Sequence, residues 1–280
     1  MTAVYDFLDA GDGRRLERFG EIVVDRPAAD ASEPVRDPDA WAGATLRFDR
    51  YHGWTAAPEA IPAAWQVDDG DLRFELRPTP TGQVGLFPEQ ASNRAWARDL
   101  VAAQPASPES LAVLNLFAYT GAMTLSVAAA GASVTHVDAA RPTIGWARRN
   151  AELSGLADRP IRWIVDDIEA FVGREGRRGR RYDGLVLDPP SYGHGAGGRS
   201  WKLAERLPGL LASCAALTGY RPAFVVLSAH TPGFGPDRLA DELAVAFRRR
   251  VADVDAGDLG LRAHSGAHLR LGAYARIIGR

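Results

Sequence analysis

The sequence predicts an α/β fold in which a Rossmann-like, doubly wound sheet of five parallel strands is closed by an antiparallel hairpin, with a small strand-rich module ahead of it. Three observations carry that expectation. From residue 111 onward, apolar runs of five to seven residues alternate with longer segments of helical period, and strands alternating with helices build a parallel sheet. The final two apolar runs, 251–259 and 269–278, have no helix between them, so a short link makes them pair antiparallel. Ahead of residue 80 the apolar or alternating runs are short and are separated by Pro- and Asp-rich stretches such as 26–39, as in a small β module with loops.

Taken in order, strands are expected at 21–24, 44–48 and 72–76, in a region that shows no catalytic motif. Residues 85–104 read as a turn followed by a helix, and the Pro-Ala-Ser-Pro segment at 105–108 reads as a boundary. The expected organisation is therefore a module over 1–84, a connecting turn and helix over 85–107, and a catalytic domain over 108–280. Within that domain, strands are expected at 111–117, 133–137, 161–165, 183–187 and 223–228. Helices are expected at 120–130, 141–153 (with Trp146 and Ala147 inward), 200–217 and 237–250. The run 110–137 has no charged residue and is long enough for a membrane span. Asn115, Thr120, Thr124, Thr135 and His136 interrupt it, and its pattern turns midway from β-rich to Ala-rich, so it reads as a buried strand, turn and helix.

With 280 residues and 46% apolar side chains the chain can fill a core. One cysteine, Cys214, excludes a disulfide framework, and no basic stretch followed by an apolar run opens the sequence, so a cytoplasmic location without a membrane or metal partner is expected. The net charge of −2 divides unevenly: residues 1–105 carry 18 acidic and 11 basic side chains, and residues 106–280 carry 17 and 22. Two clusters, Arg174 to Arg181 and Arg248 to Arg250, suit either phosphates or solvated surface, the latter because arginine so outnumbers the single Lys202.

In a doubly wound sheet, ligands lie beyond the carboxyl ends of the strands, beside the switch point. The first strand ends in Asn115-Leu116-Phe117-Ala118-Tyr119-Thr120-Gly121, where Gly121 permits a tight turn against a ligand, or simply a strand-to-helix turn. Three glycines, which a dinucleotide pyrophosphate requires, are absent, so a cofactor without phosphates fits better. Asp138, followed by Ala139, ends the second strand, where a carboxylate accepts ribose hydroxyls or caps the next helix. After the third strand, Asp166-Asp167-Ile168 offers a carboxylate for an adenine amino group, with Asp167 preferred by register; a helix cap is the alternative. Asp188-Pro189-Pro190-Ser191-Tyr192 follows the fourth strand. Its prolines fix φ and remove two donors, so carbonyls and a carboxylate are expected to face a substrate N–H, with Tyr192 as a stacking ring.

With these four motifs in order, residues 85–278 resemble the bacterial large-subunit ribosomal RNA methyltransferase family and its relatives. The resemblance implies a class I methyltransferase fold and an S-adenosyl-L-methionine cofactor bound by Asn115, Phe117, Tyr119, Thr120, Gly121, Asp138, Ala139, Asp167, Ile168 and Asp188. Because 85–94 is similar to the stretch ahead of the family's first motif, Phe87 and Gln90 join that set. It implies Asp188, Pro189, Pro190 and Tyr192 as the catalytic turn, and ribosomal RNA as the partner. Members that methylate carbon 5 of cytosine place a catalytic cysteine after the fifth strand; here that stretch is Ser228-Ala229-His230-Thr231-Pro232, so attack by a substrate nitrogen is expected instead. Cys214 reads as a buried apolar residue, and His230 as either a proton acceptor or a structural hydrogen-bonding residue. The Gly-rich stretch 193–199 diverges from the known RNA enzymes and suits a mobile lid. Three functions remain open: methylation of an RNA base nitrogen, methylation of a protein side chain or small molecule, which near-neutral charge favours, and cofactor binding without turnover or with a different chemistry.

Overall fold

The protein is described by a computed structural model over residues 4–56, 61–104, 110–194 and 200–279. It forms two compact units. The first holds the chain up to Gln90 together with Glu152–Ser154 and Gly260–Leu271; the second holds Ala91–Ala151, Gly155–Leu259 and the chain from Gly272.

The first unit contains β1 (Tyr5–Gly11), β2 (Arg14–Phe19), β3 (Ile22–Pro27), α1 (Pro38–Ala42), β4 (Leu46–Asp49) and β5 (Gly53–Ala56), with the five strands side by side in chain order. A separate hairpin pairs β6 (Trp65–Asp69) with β7 (Leu72–Leu76). Turn chemistry sets these pairings. Asp12 and Gly13 both have positive φ (52° and 76°) between Gly11 and Arg14, which face each other across the first hairpin, the geometry whose twist suits adjoining strands. Gly20 (φ 68°) turns β2 into β3, and Gly70 (φ 65°) turns β6 into β7. Sequence reading anticipates β3, β4 and β7 and misses β1, β2, β5 and β6. In β2 four of six residues are charged, because Arg15 and Glu17 point inward and pair there (Nε to Oε2, 3.2 Å), which hides the apolar alternation.

The second unit opens with α2 (Ala91–Ala102) and then alternates β8 (Ala112–Leu116), α3 (Ala122–Ala129), β9 (Ser133–Asp138), α4 (Arg141–Leu153), β10 (Ile161–Val165), α5 (Ile168–Arg177) and β11 (Gly184–Leu187). A short hairpin of β12 (Tyr192–His194) and β13 (Ser200–Lys202) precedes α6 (Leu203–Leu217), β14 (Phe224–Ala229), α7 (Pro236–Phe247), β15 (Asp255–Arg262) and β16 (His268–Ile278). The sheet order is β10-β9-β8-β11-β14-β16-β15, with the first five strands parallel and β16 antiparallel to β14, as the alternation requires. Several boundaries depart from expectation, among them the end of α7 at Phe247 and not at 250. The sixth helix begins at Leu203, because residues 200–202 pair with Tyr192–His194, and the penultimate strand begins at Asp255, because Val251–Asp253 forms a 3-10 turn. Of the expected lid, residues 195–199 lie outside the described residues, as does the boundary segment 105–108.

Alternation along β8 divides the core between the two faces of the sheet. Leu114 and Leu116 pack with Phe171, Leu207 and Leu243 from α5, α6 and α7, whereas Val113 packs with Ala97 and Val127 from α2 and α3. The run 110–137 is thus β8, α3 and β9, and no helix among the described residues is long and apolar enough to cross a membrane.

Candidate active site

Register brings the predicted motifs to one level. Ile164, Val137, Leu116, Leu187 and Leu227 lie side by side across β10, β9, β8, β11 and β14. One step further along each strand stand Val165, Asp138, Phe117, Asp188 and Ser228, at the carboxyl edge where the sheet order reverses between β8 and β11.

The loop after β8 is strained. Phe117 (φ 56°) and Tyr119 (φ 49°) are non-glycine residues in the left-handed region, and Gly121 (φ 92°) follows as the N-cap of α3. Left-handed side-chain-bearing residues cluster where the surroundings impose them, commonly at ligand sites. Here the imposition is visible. The Asp138 carboxylate accepts hydrogen bonds from the Tyr119 N–H through Oδ2 and from the Ala140 N–H through Oδ1, both at 2.9 Å. Burial raises its pKa above 3.8, opposed by the backbone N–H groups of Ala140, Tyr119 and Ala139. Three backbone donors thus leave part of the carboxylate's lone-pair capacity open to a hydroxyl. Ala139 is exposed beside it.

Gly121 proves necessary for packing as well as for its turn. A Cβ there would lie 3.2 Å from the Ala147 Cβ of α4, in a conformation disfavoured for any side chain. Gly121→Ala is expected to destabilise the fold by about 1–3 kcal/mol, read as a lower urea midpoint; an unchanged midpoint would show that this loop relaxes freely.

Behind the loop, Asn115 is buried and its Nδ2 donates to Thr124 Oγ1 at 2.9 Å, which lies 2.9 Å from His136 Nδ1. Thr120 is also buried, and its carbonyl accepts from Asn150 Nδ2 at 3.0 Å. Asn115 and Thr120 therefore tie the loop to α3, α4 and β9. Burial pushes the His136 pKa from 6.5 down to about 3. A depressed folded pKa gives stability that is present above 6.5 and is lost as pH falls toward 3, because the unfolded chain takes the proton first. Stability should drop by up to ~1.4 kcal/mol per pH unit across that window, and His136→Gln should flatten the slope. Equal slopes of urea midpoint against pH in the two proteins would contradict this.

Asp167 caps α5, its Oδ1 accepting from the Ala170 N–H at 2.9 Å, so the helix-cap alternative is realised. Ile168 is buried next to it. Asp166 forms an ion pair with Arg174. Phe87 and Gln90 belong to the first unit, where the Gln90 N–H donates to the Phe87 carbonyl at 3.1 Å around a 3-10 turn over Pro88–Gln90.

In the turn after β11, one of the two proline carbonyls is engaged within the protein. Trp201 is nearly buried, so its indole N–H needs an acceptor, and it takes the Pro190 carbonyl at 2.7 Å. The Trp201 ring packs 5.2 Å from that of Phe117, linking this turn to the strained loop. The Pro189 carbonyl accepts no hydrogen bond among the described residues. Asp188 Oδ1 accepts from Ser228 Oγ at 2.7 Å and lies 3.5 Å from His230 Nε2, while Ser191 and Thr231 hydroxyls meet at 2.6 Å. Tyr192 is 76% exposed, as a stacking platform requires.

A profile of S-adenosylmethionine-dependent methyltransferases matches residues 40–249, three quarters of the chain. The chain belongs to this family. A solved S-adenosylmethionine-dependent methyltransferase from Agrobacterium tumefaciens is 34% identical, with a TM-score of 0.91 over 99% of this chain and 90% of its own. The ribosomal RNA large subunit methyltransferase I of Shewanella amazonensis is 33% identical over 127 residues, 45% of this chain and 30% of that protein. The matched stretch thus spans less than a third of that curated relative. A methyltransferase solved with S-adenosylhomocysteine, 15% identical, shares the fold with a TM-score of 0.73 over 98% of this chain and 75% of its own.

The enzyme is therefore an S-adenosylmethionine-dependent methyltransferase, and the strained loop with Asp138 beneath it fits an adenosine-bearing, phosphate-free cofactor. Cys214 is fully buried in α6 and its thiol is pushed up to about 12, so it offers no thiolate. The arginine clusters are partly neutralised: Arg174 pairs with Asp166, Arg178 with Glu175 at 3.2 Å and Arg250 with Asp253 at 2.8 Å. Thr124, His136, Asn150, Trp201 and Ser228 hold the site in place and were missed by motif. Polar residues inside otherwise apolar strands and helices were their signal.

Proposed function

We propose that the enzyme transfers a methyl group to a nitrogen of an RNA base, ribosomal RNA being the substrate class and the cytoplasm the compartment. What supports the substrate is the relative from Shewanella amazonensis, whose name specifies large-subunit ribosomal RNA. What carries the chemistry is the turn after β11: a carboxylate at the strand end, a Pro189 carbonyl that accepts no hydrogen bond among the described residues, and an exposed aromatic ring two residues beyond Pro190. In this reading Asp188 and the Pro189 carbonyl hold the amine of the acceptor, and Tyr192 stacks on its ring. Pro190 acts by fixing the turn through Trp201. Asp138 binds ribose, while Asp167, with Ile168 against the ring, reads adenine. Asn115, Phe117, Tyr119, Thr120 and Gly121 shape the loop around the cofactor with Ala139.

When bound, S-adenosylmethionine supplies a methyl group on a sulfonium, already electrophilic, so this chain's residues need only align the acceptor and receive one proton. His230, beside Asp188, is the candidate receiver. Digestion of methylated RNA to nucleosides should yield an N-methylated base; 5-methylcytidine would overturn the assignment. Cys214→Ala should retain nearly full turnover, whereas Cys214→Ser places a hydroxyl in the core and confounds the test with about 1–3 kcal/mol of destabilisation. A large loss in Cys214→Ala, with folding intact, would point to a covalent mechanism.

A further inference from the structure

Strands β2 and β3 set two arginines directly opposite each other: Arg15 pairs in register with Arg26, both pointing into the first unit. Like charges across a strand pair are destabilising, and burial sharpens the effect. Glu17 takes both, with its Oε2 2.7 Å from Arg26 Nε and 3.2 Å from Arg15 Nε. Arg26 Nη1 also donates to the Gly82 carbonyl at 3.3 Å and to Gln83 Oε1 at 3.1 Å. Among the described residues, Arg26 Nη2 and Arg15 Nη1 have no hydrogen-bond partner. Burial first, and Arg26 second, lower the Arg15 pKa, while Glu17 and the buried Glu89 oppose them.

Arg15 and Arg26 line a cavity of about 390 Å³ whose third cationic residue is Arg50. Arg50 is exposed, and among the described residues it has no ion-pair partner and no acidic side chain lines the cavity. Thr81, Gln83 and the Gly82 backbone add polar groups, and Phe48 forms an apolar wall. A second pair next to it is also short of acid, since Arg14 and Arg47 share Asp25 at 2.5 and 2.7 Å. The region thus gathers five arginines around three carboxylates within a chain segment that is otherwise acidic, with 18 acidic and 11 basic side chains over residues 1–105.

We propose that this cavity is a phosphate-binding site, with Arg50 at its mouth and Arg15 and Arg26 at its wall, taking a phosphate group with its attached sugar. Arginine suits the task because its fork of donors matches phosphate oxygens, and a bound dianion or diester relieves the opposed cations. The volume exceeds that of a bare phosphate and falls within the range of small-molecule sites. Two sources share this chemistry, an RNA backbone and a free phosphorylated nucleoside. The proposal goes beyond the methyl-transfer reading and does not rest on it.

The test uses the whole protein without methyl donor, so its result is independent of activity. In thermal unfolding at matched ionic strength, inorganic phosphate and adenosine 5′-monophosphate should each raise the wild-type midpoint above that in chloride. Arg50→Ala should unfold at the wild-type temperature in chloride yet lose that rise; Arg15→Gln should lose it as well. In a second arm, a short fluorescein-labelled RNA should bind Arg50→Ala about tenfold more weakly than wild type, with the slope of log affinity against log salt reduced by ~0.7. Loss in both arms assigns the site to the RNA backbone, and loss in the first alone assigns it to a free phosphate-bearing ligand. Equal midpoint shifts and equal RNA affinities in wild type and Arg50→Ala overturn the proposal; because Arg50 is exposed, that comparison stands even if Arg15→Gln fails to fold.

Discussion

Asp188→Ala is expected to lower turnover at least a hundredfold, about 2.7 kcal/mol of transition-state stabilisation, while S-adenosylmethionine binding persists. The reason is positional. Asp188 directly follows β11, level with Phe117 and Asp138, and its carboxylate is oriented by Ser228 at 2.7 Å. Removing it takes away the acceptor proposed for the substrate amine and leaves the cofactor loop after β8 intact. Ser228→Ala should show a smaller loss, roughly tenfold, because the carboxylate remains but is less well held. Single-turnover rates with labelled donor, alongside calorimetric cofactor affinity, separate the two effects. A hundredfold loss of cofactor affinity in Asp188→Ala with unchanged single-turnover rate at saturation would move Asp188 from the acceptor side to the cofactor side.

Asp138→Ala should weaken S-adenosylmethionine by ten- to a hundredfold, roughly 1.5–3 kcal/mol for removing a charged acceptor. Its pH dependence adds a second check. Burial raises the folded pKa above 3.8, so this group's contribution to stability of the unliganded protein is present below 3.8 and is lost as pH rises through the raised value. Hydroxyl donors favour the ionised carboxylate, so cofactor affinity should rise through that same window. Calorimetry at several pH values on wild type and Asp138→Asn tests both; pH-independent affinity in the wild type, or unchanged affinity in Asp138→Ala, would remove Asp138 from the ribose role.

The parallel sheet was legible because its strands are apolar on both faces and its helices keep one period. The boundaries of α4 and β10 follow directly from residues 141–153 and 161–165. The motif residues were legible because strand ends are where ligands meet such a sheet, and register places Asp138, Phe117 and Asp188 at one level. The N-terminal sheet was harder to read, because β2 turns Arg15 and Glu17 inward, and inward charge defeats a pattern based on apolar alternation. The Asp12-Gly13 turn was the available signal for its first hairpin. Long-range pairings stayed out of reach. Nothing local in the sequence says that Trp201 takes the Pro190 carbonyl, that Asn115 reaches His136 through Thr124, or that Arg26 faces Arg15.

The most direct measurement of the central claim incubates the full chain with methyl-labelled S-adenosylmethionine and separate pools of RNA and protein, using wild type and Asp188→Ala. The account predicts label in RNA, recovered as an N-methylated nucleoside, with at least a hundredfold less in the variant. Label recovered in protein, or RNA labelled equally by wild type and Asp188→Ala, would contradict it.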